Sequence, residues 1–300
     1  KYGSCPLEID LCSFNMNTTL TMVSIFTTMF AVLGVASMSL TPVKTSQKIG
    51  LFSTNPSKAS GEIFSLVCSA AWILAVVVVI ALQLFEAWGP WEYMTFCVTC
   101  AVPYVLYPLI KPFQSDMFPY NRYHAAVPVP LSERYITKAN VWIAIFSFIG
   151  NYWYTHYFYH VLKADYSFPA HRLNDVPICL YFMTHAYFMF YHVLSNVAIR
   201  AVRTRYMPGT NRFVFECIMI SVMSYSTAFM ESLTICGFPY YRFEDRHMAY
   251  TVGSAFYSIY FLASFPMFLR VDEDQNRKFT LFQTINEALA SSMLVLCILD

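Results

Sequence analysis

The sequence predicts an all-α, polytopic integral membrane helical bundle of about eight transmembrane helices. Three observations carry that prediction. Only 12% of the 300 residues are Asp, Glu, Lys or Arg, about half of what a soluble domain uses to cover its surface. Apolar residues make up 57% and Phe, Trp and Tyr 18%, with a mean hydropathy of +0.46. The apolar residues also gather into runs near the ~20 residues that a helix needs to cross a bilayer. The same composition excludes disorder, and a net charge of +1 leaves no nucleic-acid footprint. None of the nine glycines lies two residues from another. That excludes dinucleotide and P-loop phosphate cradles, and with them a nucleotide partner.

The eight runs are 18–40, 63–85, 91–110, 139–161, 177–200, 213–236, 248–269 and 281–299. Connectors with stop signals such as Asn55-Pro56-Ser57, Lys111-Pro112 and Pro208-Gly209 separate them. Polar residues inside each run suit helices packed on one another and in contact with membrane lipids. The runs are too long for barrel strands, and no ten-residue alternation recurs. Run 18–40 reads as one more helix or an uncleaved anchor. The chain opens at Lys1 and closes at Asp300 directly after an apolar run, so both ends are read as trimmed, with a C-terminal tail missing.

The Lys and Arg residues orient the bundle. Counted over alternate connectors, fourteen fall on one side and five on the other. The fourteen-residue side, with the 111–138 and 200–212 connectors, is expected to be cytoplasmic, and the N-terminus lumenal. Cys97 and Cys100 lie within a run and read as small packing residues. Cys5 and Cys12 fall on the lumenal side as a candidate pair.

Ionisable groups inside a bilayer are costly and by default mark function. In the fourth run, 150–160 carries Asn151, Thr155, His156 and His160. The two histidines have the spacing of one metal-ligand pair, or they belong to an aromatic belt or substrate pocket. In the fifth, His185, Met189, His192 and Asn196 form one stripe. It is either a polar interior face or interhelical glue. In the sixth, Glu216 can reach Arg212, whereas Glu231 has no basic residue within four positions. A carboxyl so placed loses water and favours its neutral acid form, which suits a proton donor. The stretch 237–250, with Asp245 among its charges, is either a charged turn or a polar lid. With the expected topology, His156, His160, His185, Glu231 and Asp245 converge on the lumenal half of the bundle.

At these residues the chain resembles the cycloeucalenol cycloisomerase (cyclopropyl sterol isomerase) family. The resemblance runs from NPSKASGEIF (55–64) to the end. It includes the stretches 134–162, YSFP (166–169), NDVP (174–177), THAYFMFYHVLSN (184–196), FPYYRFEDR (238–246) and 252–273. It divides the chain into a membrane domain, 55–300, and an extension, 1–54, with its own apolar run. The resemblance implies an endoplasmic-reticulum isomerase of sterol biosynthesis. Such an enzyme opens the 9β,19-cyclopropane ring of cycloeucalenol to give obtusifoliol, without cofactor or metal. That chemistry needs an acid for carbon 19, a base for the carbon-8 proton, and a dry cavity that stabilises a cation. The acid is expected to be Glu231 or Asp245, and the base or relay His185 or His156. Trp153, Tyr154, Tyr187, Tyr191 and Tyr257 would offer ring faces to the cation. Asn151, His192 or Asn196 would hold the sterol 3-hydroxyl. The competing readings are a non-catalytic sterol or lipid carrier, a His-box di-iron enzyme, and another sterol double-bond isomerase. Oligomeric state stays open.

Overall fold

The computed structural model describes residues 16–43, 50–110, 130–154, 157–237 and 240–299. Its helices are α1 (Met16–Ser37), α2 (Pro56–Ala81), α3 (Pro90–Ile110), α4 (Tyr135–Trp153), α5 (Ile178–Arg205), α6 (Thr210–Gly237), α7 (Arg246–Met248), α8 (Ser254–Leu269) and α9 (Leu281–Leu299). Local chemistry explains the α2 boundary. Asn55 accepts a hydrogen bond from Ser57 N, and Pro56 takes a first-turn position whose backbone donor would be unpaired. A single π turn, Ala249–Gly253, fuses α7 to α8, so 246–269 is one continuous helix.

Each predicted run overlaps one of these helices. Among the described residues five segments are long and apolar enough to cross a bilayer: Thr18–Ser37, Pro56–Ala81, Thr210–Ile235, Arg246–Leu269 and Leu281–Leu299. Five of the about eight expected spans thus have the length and composition to cross a bilayer among the described residues. The difference lies in α3 to α5. Helix α3 is rich in Tyr, Thr, Cys and Pro, and α4 and α5 carry buried Asn140, Ser147, Thr184, His185, His192, Ser195, Asn196 and Arg200. These residues make the interior of the bundle at the expense of apolarity.

The fourth run departs most from expectation. It is not one helix over 139–161: α4 ends at Trp153, Tyr154 turns, and a separate π turn spans Tyr157–Val161. His156 and Thr155 lie outside the described residues, as do Cys5, Cys12 and residues 111–129. After the π turn, β1 (Asp165–Tyr166) pairs antiparallel with β4 (Tyr241–Arg242), tying the α4–α5 connector to the α6–α7 connector. A second pair, β2 (Arg172–Leu173) with β3 (Val176–Pro177), is a hairpin. Its central Asn174 and Asp175 both have positive φ, at 52° and 62°. That is the type I′ geometry that matches strand twist.

The core lies where α4, α5 and α8 meet. Trp142, Ile143 and Phe146 pack with Phe188, Met189 and Val193, and with Phe261, Phe265 and Phe268. Gly61 lets α2 approach α4 closely, since a Cβ there would sit 2.8 Å from the Tyr135 ring. Helix α1 attaches through Phe26, which packs edge-on against Phe229 at 5.0 Å, and through Thr18, whose hydroxyl lies 2.9 Å from His247 Nδ1. Otherwise α1 presents Leu20, Val23, Phe30, Val32 and Val35 outward, as a lipid-facing helix does.

Candidate active site

Glu231 sits six residues before the end of α6. Its Oε2 accepts a hydrogen bond from the Tyr257 hydroxyl at 2.9 Å, and Tyr187 lies within electrostatic range of the carboxyl. Among the described residues no Lys or Arg pairs with it. Tyr257 comes from the first turn of α8 and Tyr187 from the third turn of α5, so three helices meet around one acid. Glu231, Tyr187, Tyr191 and Tyr257 are all half-buried, neither sealed in the core nor turned out.

Aromatic rings build the rest of the wall. Tyr187 and Tyr191 are 5.5 Å apart between centroids, Tyr191 meets Phe261 edge-on at 5.7 Å, and Tyr257 meets Phe261 at 5.3 Å. Tyr257 also packs on Tyr260 at 4.9 Å, and Tyr260 on Tyr154 at 4.5 Å. Tyr154 is fixed from behind by its hydroxyl, which donates to Ser292 O at 2.7 Å. Tyr166 and Tyr241, paired across β1 and β4, lie within electrostatic range of Glu231. The short sheet therefore covers this end of the bundle. An apolar groove of ≈ 700 Å³ runs between α1 and α6, lined by Met22, Phe26 and Phe229 among others. Glu231 lies two residues beyond Phe229, on the opposite side of α6, so the groove is outside the acid's cleft.

Asn151 joins the cluster from α4. Its Oδ1 accepts from the Thr184 hydroxyl at 3.4 Å, and Thr184 lies 3.0 Å from the Tyr187 hydroxyl. The other expected residues are placed differently. His185 is buried, with Nε2 2.9 Å from Asn140 Oδ1. The Asn140 amide donates to Tyr104 O and Ile136 O, so its oxygen faces the ring and Nε2 must carry the proton. Nδ1 is then the basic nitrogen. His192 is fully enclosed, with Nδ1 2.7 Å from Phe188 O and Nε2 2.9 Å from Ser264 Oγ. Trp153 packs on Tyr152 at an exposed surface. Asp245 is exposed and caps α7 by accepting from Met248 N at 3.1 Å. The expected convergence of His160 and Asp245 on the acid is not what the fold makes. His160 lies exposed in the π turn, because α4 breaks before it.

Asn196 belongs to a second polar centre, at the Arg-rich end of α5. There Arg200 forks Glu62 through two bonds of 2.9 and 2.8 Å and Glu273 through two of 2.7 and 2.8 Å. Lys58 reaches Glu273 at 2.9 Å and also donates to the carbonyls of Leu269 and Val271. Those carbonyls end α8 and would otherwise lack donors. Lys138 pairs with Asp272 at 2.7 Å, and Asn196 Nδ2 donates to Glu62 at 3.1 Å. Burial alone would raise the Glu273 carboxyl above its ordinary 4.5, but Arg200 and Lys58 hold it down at about 2. Sequence reasoning took these basic residues only as markers of orientation. The Lys58–Glu62 spacing of one helical turn was the one local signal of something more. Glu216, as expected, pairs with Arg212 at 3.3 Å, and with Arg203 at 2.9 Å.

Helices of this length and apolarity around an interior acid define an integral membrane protein with a chemically equipped cleft. No family profile and no solved structure matches the chain. A protein of Arabidopsis thaliana named cycloeucalenol cycloisomerase is 40% identical over 249 residues, which is 82% of this chain and 85% of that protein. The chain belongs to the cycloeucalenol cycloisomerase family and is an isomerase.

Proposed function

We propose that the protein opens the 9β,19-cyclopropane ring of cycloeucalenol-type sterols to give a Δ8 sterol, obtusifoliol. Glu231 protonates carbon 19, a tertiary cation develops at carbon 9, and a base removes the carbon-8 proton. One proton enters and one leaves, so the product is an isomer. The observation that carries the assignment is Glu231 itself, bonded to the Tyr257 hydroxyl and paired with no Lys or Arg among the described residues. A carboxyl solvated by a phenol and pairing with no cation is suited to give up a proton in a dry site. The faces of Tyr187, Tyr191 and Tyr257 would each lower the energy of the cation by about 1–2 kcal/mol. They do so without a nucleophile that would trap it.

His185 is the proposed relay for the carbon-8 proton, through its Nδ1, from the opposite side of α5 to Tyr187. Asn151 is the proposed polar contact for the sterol 3-hydroxyl. The sterol enters from the bilayer, and the protein resides in the endoplasmic reticulum with its Arg-rich end cytoplasmic, as the Lys and Arg asymmetry supports. The test is to incubate membranes containing the protein with cycloeucalenol in deuterated water. One deuterium in the new carbon-19 methyl group is the expected result. Recovery of unchanged cycloeucalenol would overturn the reading in favour of a carrier, and a shifted ring double bond with the cyclopropane intact would make it a different isomerase.

A further inference from the structure

Glu231 Oε2 is bonded by the Tyr257 hydroxyl at 2.9 Å. That hydroxyl is the tip of a long side chain in the first turn of α8, one turn after the π turn Ala249–Gly253. Its aim is set by whatever holds the ring. Phe261 meets the ring at 5.3 Å, and Tyr260, three residues on along the helix, meets it edge-on at 4.9 Å. Tyr260 is held in turn by Tyr154, which lies nearly perpendicular to it with centroids 4.5 Å apart. The Tyr154 hydroxyl donates to Ser292 O, on α9, at 2.7 Å. Tyr154 is 1% exposed and Tyr260 6%. Both rings are sealed in the bundle, so the path from them to the acid runs through Tyr257.

We propose that Tyr154 and Tyr260 are positioning residues of the isomerase, and that the row Ser292–Tyr154–Tyr260–Tyr257 aims the Tyr257 hydroxyl at Glu231. This rests on the reading of Glu231 as the acid. The row gives the end of α4 and the last helix, α9, a part in the reaction, although neither bonds Glu231 among the described residues. The physical reason is leverage. A phenol pivots at Cβ, so a small turn of the ring carries its hydroxyl out of hydrogen-bonding range and angle. Edge-on aromatic contacts prefer defined ring orientations, so they hold that pivot where an aliphatic neighbour would not. The aim matters for the proton. With Oε2 accepting from the phenol, the proton of the neutral acid rests on Oε1, the oxygen left free for the sterol. A misplacement of about 1 Å at a reacting group costs up to about 100-fold in rate.

The test is a double-mutant cycle on the whole chain in detergent, read as kcat and KM for ring opening of cycloeucalenol. Tyr260→Leu should lower kcat about tenfold with KM within about twofold of wild type. Tyr154→Phe keeps the ring and removes only the bond to Ser292 O. It should lower kcat about threefold, and it serves if the Tyr260 variant does not fold. In the Tyr257→Phe background no hydroxyl is left to aim, so neither change should slow the reaction further. Slowing by the same factor in both backgrounds would overturn the proposal, since that is what general loosening of the bundle predicts. So would a rise in KM with kcat unchanged, or a wild-type rate for Tyr257→Phe itself. Glu231→Gln, run alongside, separates the two claims. If it yields no product while the cycle is additive, only the positioning row fails. If it turns over normally, the acid assignment fails first.

Discussion

The bundle holds buried acids at both ends, and it treats them in opposite ways. At the Arg-rich end, Glu62, Asp272 and Glu273 are matched by Lys58, Lys138 and Arg200, and most of the remaining lone pairs meet N–H donors. At the other end, Glu231 has the Tyr257 hydroxyl and no cation among the described residues. A charge held by a partner stays charged and fixes structure, because removing it would strand the partner. An acid held only by a neutral hydroxyl can change its charge without stranding anything. The first centre clamps the 270–280 connector to α2, α4 and α5, and the second is free for chemistry.

Breaking the clamp should give the largest effect on stability. Arg200→Met leaves Glu62 buried without a cation and Glu273 with Lys58 alone, so we expect a loss of about 3–5 kcal/mol, seen as a collapse of thermal stability in detergent. Glu231→Gln, by contrast, should leave the melting temperature within a few degrees of wild type.

A smaller effect is tied to pH. The folded-state value of Glu273 is depressed from 4.5 to about 2. Its stabilisation is therefore complete above the unfolded value and lost as pH falls through the folded one. The gap in melting temperature between wild type and Glu273→Gln should be constant above about pH 5 and close towards about pH 2. A gap that widens on acidification would contradict the clamp.

Next comes Tyr257→Phe, which removes one hydrogen bond to Glu231 and should slow the first turnover about tenfold, the value of one such bond. Single-turnover product formation measures it. Smallest is Lys163→Ala. Its pair with Glu244, at 2.8 Å, is about 60% exposed on both sides, so the change in stability should stay under about 1 kcal/mol.

How much of this was legible in the sequence follows from where each signal resides. Helix positions were legible because an apolar run is local, and every run but the fourth, which breaks after Trp153, lies mainly on one helical segment. Glu231 was legible because the absence of a base within one turn is also local. The buried stripe His185, Met189, His192 and Asn196 was legible as an interior face. Its division of labour was not, since Asn140, Ser264 and Glu62 come from other helices. The clamp was hidden because Lys58 and Glu273 are more than two hundred residues apart. The β1–β4 clasp was hidden because two-residue strands leave no periodic trace. The break after Trp153 was hidden because 150–160 is aromatic enough to pass for a continuing helix.

The central claim is that Glu231 supplies the proton. Its most direct measurement is conversion of cycloeucalenol by purified Glu231→Gln protein, scored beside sterol binding on the same sample. The account predicts that sterol still binds within a few-fold of wild type while no product forms. Product formation near the wild-type rate would contradict it.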